Sequence, residues 1–455
     1  MTVTYPIIRF LFSSGDVEFS RTQVKNANLL EQTNIISTEI PINTIDFKLV
    51  TLDDLFSMFS ESAALLTERL PLLVYEQVDG ETLLLGKFYL STWKNTSDKV
   101  MEFSAYDIIG VLDNTDFDGL FWSTPVTLAA ALAQVLTPIN VAYEIDSSLA
   151  DVELSGWMPS GSYRDALQQI GFAAGATILT FRRENILITK SVSPTFFYVD
   201  RLFSTERLGK QTLELLPIVS TIELVSHNYE ASDTVETIFD KYLEAGSYKV
   251  IYEKPYYDIV ISGPGYTQFV LGTEAGDYLT TENGDYLEAG GEYNVNSNSA
   301  YFTISVAGQV TITGHPWIDS KRSYIFNETG TTSAQNKKTI TVSDATLINT
   351  SNGQTILDGL RDYYRLRYVQ TTKLLPTELE TNDIVLSNTV YETNVLVSIQ
   401  KMDMDLTGGF LSKVEMLGVV PVYVEDSVSP VRRLRTGIAV SGAGLTKNNR
   451  WRRYA

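Results

Sequence analysis

The sequence has no cysteine and only two histidines, His227 and His315, in 455 residues. The first absence excludes disulfides, Cys-ligated zinc and thiol nucleophiles together. The second leaves no His-x-x-x-His or His-Glu-x-x-His pattern, so a His-based zinc peptidase has no ligand set, and both histidines read as structural. No stretch approaches the roughly 18 apolar residues that span a bilayer. The opening MTVTYPIIRFLFSSGD lacks a basic start and is interrupted by Arg9, unlike a signal peptide. The expectation is a soluble chain, made in a cytoplasm, that inserts into no membrane. Gly263-Pro-Gly265 and Gly408-Gly409 are not followed by Gly-Lys-Ser/Thr, so they read as turns and not phosphate loops. Asp116-Phe-Asp118-Gly119 lacks the further ligands and terminal Glu of a calcium loop and reads as an acidic turn. With 55 Asp and Glu residues, the carboxylate pair of a glycosidase has no specificity as a signal. The sequence therefore assigns no catalytic, cofactor-binding or metal-binding residue, and the expectation is a protein that is not an enzyme.

What is present is a globular composition, 44% hydrophobic and 20% charged, long enough for two to four domains. The formal net charge is −20, unevenly spread. Arg432, Arg433, Arg435, Lys447, Arg450, Arg452 and Arg453 lie in residues 431–455, which hold no Asp or Glu. Setting these seven cations apart leaves −27 on the body, which argues against a nucleic-acid-binding surface there. The basic stretch has the charge to touch nucleic acid, and reads ahead of that as a flexible terminal arm that docks on an acidic partner. Tyrosine is abundant, 25 in all, which fits both strand composition and a carbohydrate- or protein-binding surface.

Periodicity divides the chain. Residues 1–113 read as β: Ile45, Phe47 and Leu49 alternate with Asp46 and Lys48, and two strand-like runs, 83–90 and 99–106, flank a Lys-Asn-Thr-Ser-Asp turn. A short helix is expected to carry Tyr106, Asp107 and Leu112, and residues 52–70 either have a helical look or form a long, partly apolar excursion. In 114–205, Ser123-Thr124-Pro125 reads as a helix start, a second helix runs from about Ser162 to Ala174 with Gly175 as its stop, and two short strands surround Arg182-Arg183-Glu184-Asn185. This is a small α+β domain. Residues 206–264 and 346–425 return to β around a β-rich insertion, 265–345, and the basic arm takes 426–455. Within and beside the insertion, Tyr242-Leu-Glu-Ala-Gly246 recurs at 286–290, and Gly276-Asp-Tyr-Leu279 at 284–287. Ser351-x-x-Gln354 reads as a capping box opening a helix.

One segment carries a likeness. Gly86, Phe88, Tyr89 and Trp93, a polar turn, then Phe103, Ala105, Tyr106, Asp107 and Leu112 resemble the first β-domain of the tailed-phage tail hub family, the baseplate-hub and tail-tip proteins. Further likenesses follow in order: Ile40-Pro41 with Ile45 and Phe47; Arg164-Asp-Ala-Leu-Gln-Gln-Ile170 with Gly175; Tyr248, Val250, Tyr252, Pro255 and Tyr256; Pro316-Trp317-Ile318; and Val397, Ile399 with Asp405-Leu-Thr-Gly-Gly409. The resemblance implies a mainly β fold, with two hub-type β-barrel domains separated by a small α+β domain, plus a β insertion. It also implies a homotrimer at the virion tail tip or baseplate, where six barrels meet the sixfold tail tube or distal-tail ring. Spike or fibre and tape-measure proteins would be partners, and passing DNA would be conducted or gated without specific binding. Cell-wall cutting is expected of another polypeptide, since the chain stops at Ala455. The competing reading from the residues is a β-rich carbohydrate- or receptor-binding adhesin using the Tyr-rich repeats of 242–290, with a glycan hydrolase behind it.

Overall fold

The computed structural model describes residues 4–51, 65–78, 80–97, 99–191, 200–202, 207–264, 295–328, 338–375, 379–389 and 394–419. The helical expectation for 52–70 and the basic arm fall mostly or wholly outside these residues.

The first segment supplies β1 (Thr4–Phe10), β2 (Val17–Ser20), β3 (Val24–Gln32), β4 (Thr44–Val50), β5 (Pro71–Val78), β6 (Glu81–Ser97) and β7 (Val100–Tyr106). They pair in the order β3-β4-β7-β6-β5-β1-β2. Inward residues alternate along them, as on β4, where Ile45, Phe47 and Leu49 are buried. Phe10 of β1 lies 5.5 Å from Phe103 of β7 and 6.1 Å from Phe47 of β4, ring centre to ring centre. In a flat sheet those strands would be roughly 14 and 19 Å from β1, so the sheet curls around its aromatic interior. β6 continues to Ser97, seven residues beyond the expected strand, which moves the turn to its far end. Tyr106 closes β7, and α1 (Ile108–Asp113) begins after Asp107.

The α+β part holds β8 (Asp116–Phe117), β9 (Leu120–Thr127), α2 (Leu128–Leu136), β10 (Tyr143–Ile145), β11 (Glu153–Met158), β12 (Gly161–Ser162), α3 (Tyr163–Ala173), β13 (Ala176–Leu179) and β14 (Ile186–Lys190). α3 starts with a capping box of Ser162 and Asp165, and Gly175 follows it at φ +62°. The expected start of α2 at Ser123-Thr124-Pro125 is corrected. Those residues lie in β9, where Trp122 and Val126 pair with Gly156 and Leu154 across a bulge. Pro125 has no N–H to give a ladder and sits in that irregularity. Thr127 is the N-cap, its hydroxyl accepting from Ala130 N at 3.2 Å.

β15 (Asp200–Leu202) and β16 (Arg207–Leu215) then lead into β17 (Val219–Ala231), β18 (Glu236–Leu243), β19 (Gly246–Ile251), β20 (Tyr256–Ser262), β21 (Ser299–Ile304), β22 (Gly308–Asn327) and β23 (Lys338–Val342). β17, β18, β20, β22 and β23 form a separate five-stranded sheet built on the long β22. The strands within 219–262, which sequence periodicity groups with the second barrel, are therefore hydrogen-bonded elsewhere: β22 offers a ladder of twenty residues. The first Tyr-Leu-Glu-Ala-Gly copy forms the turn from β18 to β19, and the later copies fall outside the described residues.

α4 (Gly353–Tyr364), β24 (Leu366–Leu374), β25 (Ile384–Asn388), β26 (Asn394–Asp405) and β27 (Leu411–Val419) complete the chain. The expected capping box at Ser351 is also corrected. Asn352 is the N-cap, and the Ser351 hydroxyl instead donates to Asn349 Oδ1 at 2.6 Å. β16-β24-β27-β26 continues directly into β3, giving one sheet of 13 strands with β25 and β15 attached beside β26. β26 is the seam: it pairs with β25 through residues 394–398 and with β3 through 401–405. The second lobe also curls. Ser387 on β25 donates to Gln370 on β24 at 2.9 Å, although two strands separate them in the sheet. Apolar side chains from both lobes form one continuous core. α1 to α3 share a second core with β17 and α4, and the β18–β22 region has a small third one. The fold is mainly β.

Candidate functional site: a buried polar junction

The tip of the β13–β14 hairpin enters the region where the two lobes join, and its local geometry follows from two irregularities. β6 carries a bulge: Val74 pairs with Gly86 and Tyr75 with Leu84, leaving Leu85 unpaired. The Leu85 carbonyl accepts the backbone N–H of Arg182 at 2.9 Å. Arg182 itself is left-handed, at φ +53°, which turns the hairpin sharply enough to insert its side chain.

The Arg182 guanidinium donates to Glu31 Oε1 of β3 at 3.1 Å, and Glu31 is fully buried. Glu31 Oε2 has no hydrogen-bond partner among the described residues. Burial pushes the Glu31 carboxyl up, Arg182 pulls it down by less, and Glu380 and Asp383 add repulsion. Glu76 of β5 also attracts Arg182 and is buried, as is Asp383. One guanidinium thus faces carboxylates from β3, from β5 and from the loop before β25.

A further carboxylate, Asp107, completes the junction. Asp107 caps α1, its Oδ1 accepting from Ile109 N at 3.1 Å. Its Oδ2 accepts from Asn43 Nδ2 at 2.9 Å and from Thr180 Oγ1 at 2.5 Å. Asn43 in turn accepts the Gln32 N–H at 2.7 Å, next in chain to Glu31. The network therefore runs from Asp107 through Asn43 to β3, across to Arg182, and back through Thr180. Burial pushes the Asp107 carboxyl up to about 6, against the opposing pull of its hydrogen bonds. The arrangement carries no nucleophile–base pair; what it can do is lock three segments together and respond to protons.

The residues singled out by sequence lie elsewhere. Arg432, Arg433, Arg435, Lys447, Arg450, Arg452 and Arg453 are outside the described residues. His227 is buried, with Nδ1 2.7 Å from Asp319 and Nε2 3.0 Å from the Ser343 carbonyl. His315 stacks on Tyr257 and contacts the Ser232 carbonyl. Asp118 takes Lys249 at 2.5 Å and Tyr301 at 2.7 Å, pinning β19 and β21 to the turn before β9. Asp405 accepts from the N–H groups of Thr407 and Gly408, a turn. Among the described residues, no group of three or more His, Asp or Glu is arranged to hold a metal ion, and no helix is long and apolar enough to cross a membrane. A signal for the junction does exist in the sequence. Ala27, Leu29 and Glu31 share one side of β3, and Leu72, Val74 and Glu76 share one side of β5, so two glutamates occupy inward positions.

No protein-family model matches the sequence, and no curated protein matches it significantly. In structure the chain is similar to the tail protein from Neisseria meningitidis MC58, with a TM-score of 0.51 and 10% identity over 91% of this chain and 96% of that one. It also overlaps the 43 kDa tail protein of prophage MuSo2 from Shewanella oneidensis, with a TM-score of 0.49 and 8% identity over 90% and 98%. For the prophage tail protein gp18 from Listeria monocytogenes EGD-e the TM-score is 0.46, with 10% identity over 90% and 94%. The first likeness establishes a shared fold along nearly the whole of both chains.

Proposed function

We propose that this chain is a structural tail protein, a hub that closes the tail tube at the tip or baseplate. The observation that carries the reading is the fold held in common with the Neisseria tail protein over 91% of the chain. Two curled lobes joined through one seam suit a subunit that presents two similar ring-forming surfaces. In a homotrimer, six such lobes would meet the sixfold tube or distal-tail ring while a threefold spike or fibre sits below. In this reading the first lobe would take residues 1–113, the α+β part 114–205 and the second lobe 206–218 and 346–425, around an insertion that begins near 219, since the strands of 219–262 pair outside the 13-stranded sheet. The acidic body suits a conduit for passing DNA that does not adhere to it. The basic arm, with Arg432, Arg433, Arg435, Lys447, Arg450, Arg452 and Arg453, would dock on an acidic spike or tape-measure protein.

Native mass measurement of the full chain, and of a chain ending at residue 430, tests both parts. The expected results are a trimer, alone or with a tail-ring partner, and loss of the shortened chain from assembled tails. A monomer with saturable glycan binding would replace the hub with an adhesin. Normal tail assembly by the shortened chain would remove the arm's role, and release of peptidoglycan would reinstate an enzyme.

A further inference from the structure

β26 changes partner partway along one edge. Residues 394–398 pair with β25 and residues 401–405 with β3. Between them, Ile399 bonds to the loop before β25: its N–H donates to the Asp383 carbonyl at 2.9 Å, and its carbonyl accepts from Asn382 at 2.7 Å. The next carbonyl, that of Gln400, accepts from Thr33, one residue past the end of β3, at 2.9 Å. Segments of the two lobes therefore meet end to end against one strand. Asn382 is left-handed there, at φ +69°, and a bulge falls between Ile399 and Lys401 in the pairing with β27. At this meeting point four side chains, each at most 7% exposed, carry a polar atom without a hydrogen-bond partner among the described residues. They are Glu31 Oε2 and Thr33 Oγ1, two residues apart along β3 and its extension, and Thr381 Oγ1 and Asn382 Nδ2 in the loop.

Native interiors satisfy buried polar groups of this kind with ordered water. The chemistry of the set decides between guests. Glu31 Oε2 can accept, Asn382 Nδ2 can only donate, and the two hydroxyls can do either. A metal cation suits the oxygens but not the amide N–H groups, and an anion suits the amide but not the carboxyl oxygen. The guest must both donate and accept. We propose that the point where the two lobes meet on β26 is a binding site for internal water, in which a small cluster accepts from Asn382 Nδ2, donates to Glu31 Oε2 and bridges the hydroxyls of Thr33 and Thr381. Water-mediated bonds hold nearly as well as direct ones. The interrupted edge is thereby completed, and the lobes share a wet joint within their otherwise continuous apolar core. The site stands on the seam itself, whichever assembly the chain belongs to.

Crystal structures of the full chain at a resolution that shows water, with and without rubidium chloride, test the site. Density peaks are expected within about 3.2 Å of both Asn382 Nδ2 and Glu31 Oε2, with no rubidium signal, while the aromatic interior around Phe10, Phe47 and Phe103 stays dry. Thr33→Val, which keeps the shape but removes a hydroxyl, should lose at least one of these waters, and Thr33→Ser should retain them all. In solution, long-lived water should give nuclear Overhauser contacts to the amides of Thr33 and Asn382 in the unaltered chain, a readout that needs no variant to fold. Side chains that pair directly with protein groups, with no density between them, would overturn the site. Rubidium bound there would replace water with a cation, and an unchanged set of waters in Thr33→Val would remove the bridge through that hydroxyl.

Discussion

Two neighbouring strands of the same curled sheet bury opposite kinds of side chain. On β4, Ile45, Phe47 and Leu49 face a dry aromatic interior in which Phe47 stacks on Phe103 at 5.1 Å. On β3, the same inward alternation runs from Ala27 and Leu29 into Glu31, which is equally buried but reaches Arg182. The apolar region gains stability with every area it removes from water. The polar region gains little net energy from its charges, because desolvation offsets their attraction. What it gains is geometry: Arg182 fits only when β3, β5 and the hairpin tip are all in place. One region holds the lobe together, and the other specifies how the parts meet.

Truncating the dry region should have the largest effect. Phe103→Ala removes a fully buried ring that touches both Phe10 and Phe47. A loss of about 4 kcal/mol is expected in denaturant unfolding. A loss below about 1 kcal/mol would mean that the lobe is not organised around these rings, and the contrast with the junction would collapse.

The junction should respond less, and differently. Arg182→Met leaves Glu31 buried without its cation, at an expected cost of about 3 kcal/mol. Combining it with Glu31→Leu should recover part of that loss, because the stranded charge goes with its partner. If the double variant is as unstable as the sum of its parts, Arg182 and Glu31 are not energetically coupled, and the reading of the junction as a matched pair that specifies geometry fails. Thermal or denaturant unfolding of the four chains reads this as a double-mutant cycle.

The same contrast explains what was legible beforehand. Strands such as β4 and β7, and helix α3 with its Ser162–Asp165 box, announce themselves through local period and capping chemistry. The likeness carried by Gly86, Phe88, Tyr106 and Asp107 falls on β6, β7 and the cap of α1, elements that frame the junction. The junction itself was not visible as a unit. Glu31, Asn43, Glu76, Asp107, Arg182 and Asp383 are scattered over more than 350 positions, and only the seam and the β6 bulge bring them together. Pro125 misled because a proline before helix formers fits a first turn as readily as a strand bulge.

The smallest effect should come from one hydrogen bond, and its pH dependence makes it informative. Thr180 donates to Asp107 and helps hold the ionised form, so Thr180→Val removes a bond of about 1 kcal/mol and keeps the shape. The Asp107 carboxyl, already up to about 6, should then rise further. Its stabilising contribution is complete below the ordinary aspartate value of about 3.9 and is lost as pH rises through the folded value, and this variant deepens that loss. Unfolding free energies should therefore separate the two chains more at pH 7.5, where Asp107 is charged and misses the donor, than at pH 5, where it is mostly protonated. A difference of equal size at both values would mean that Thr180 fills space at the hairpin tip and that the hydroxyl does not support the charge.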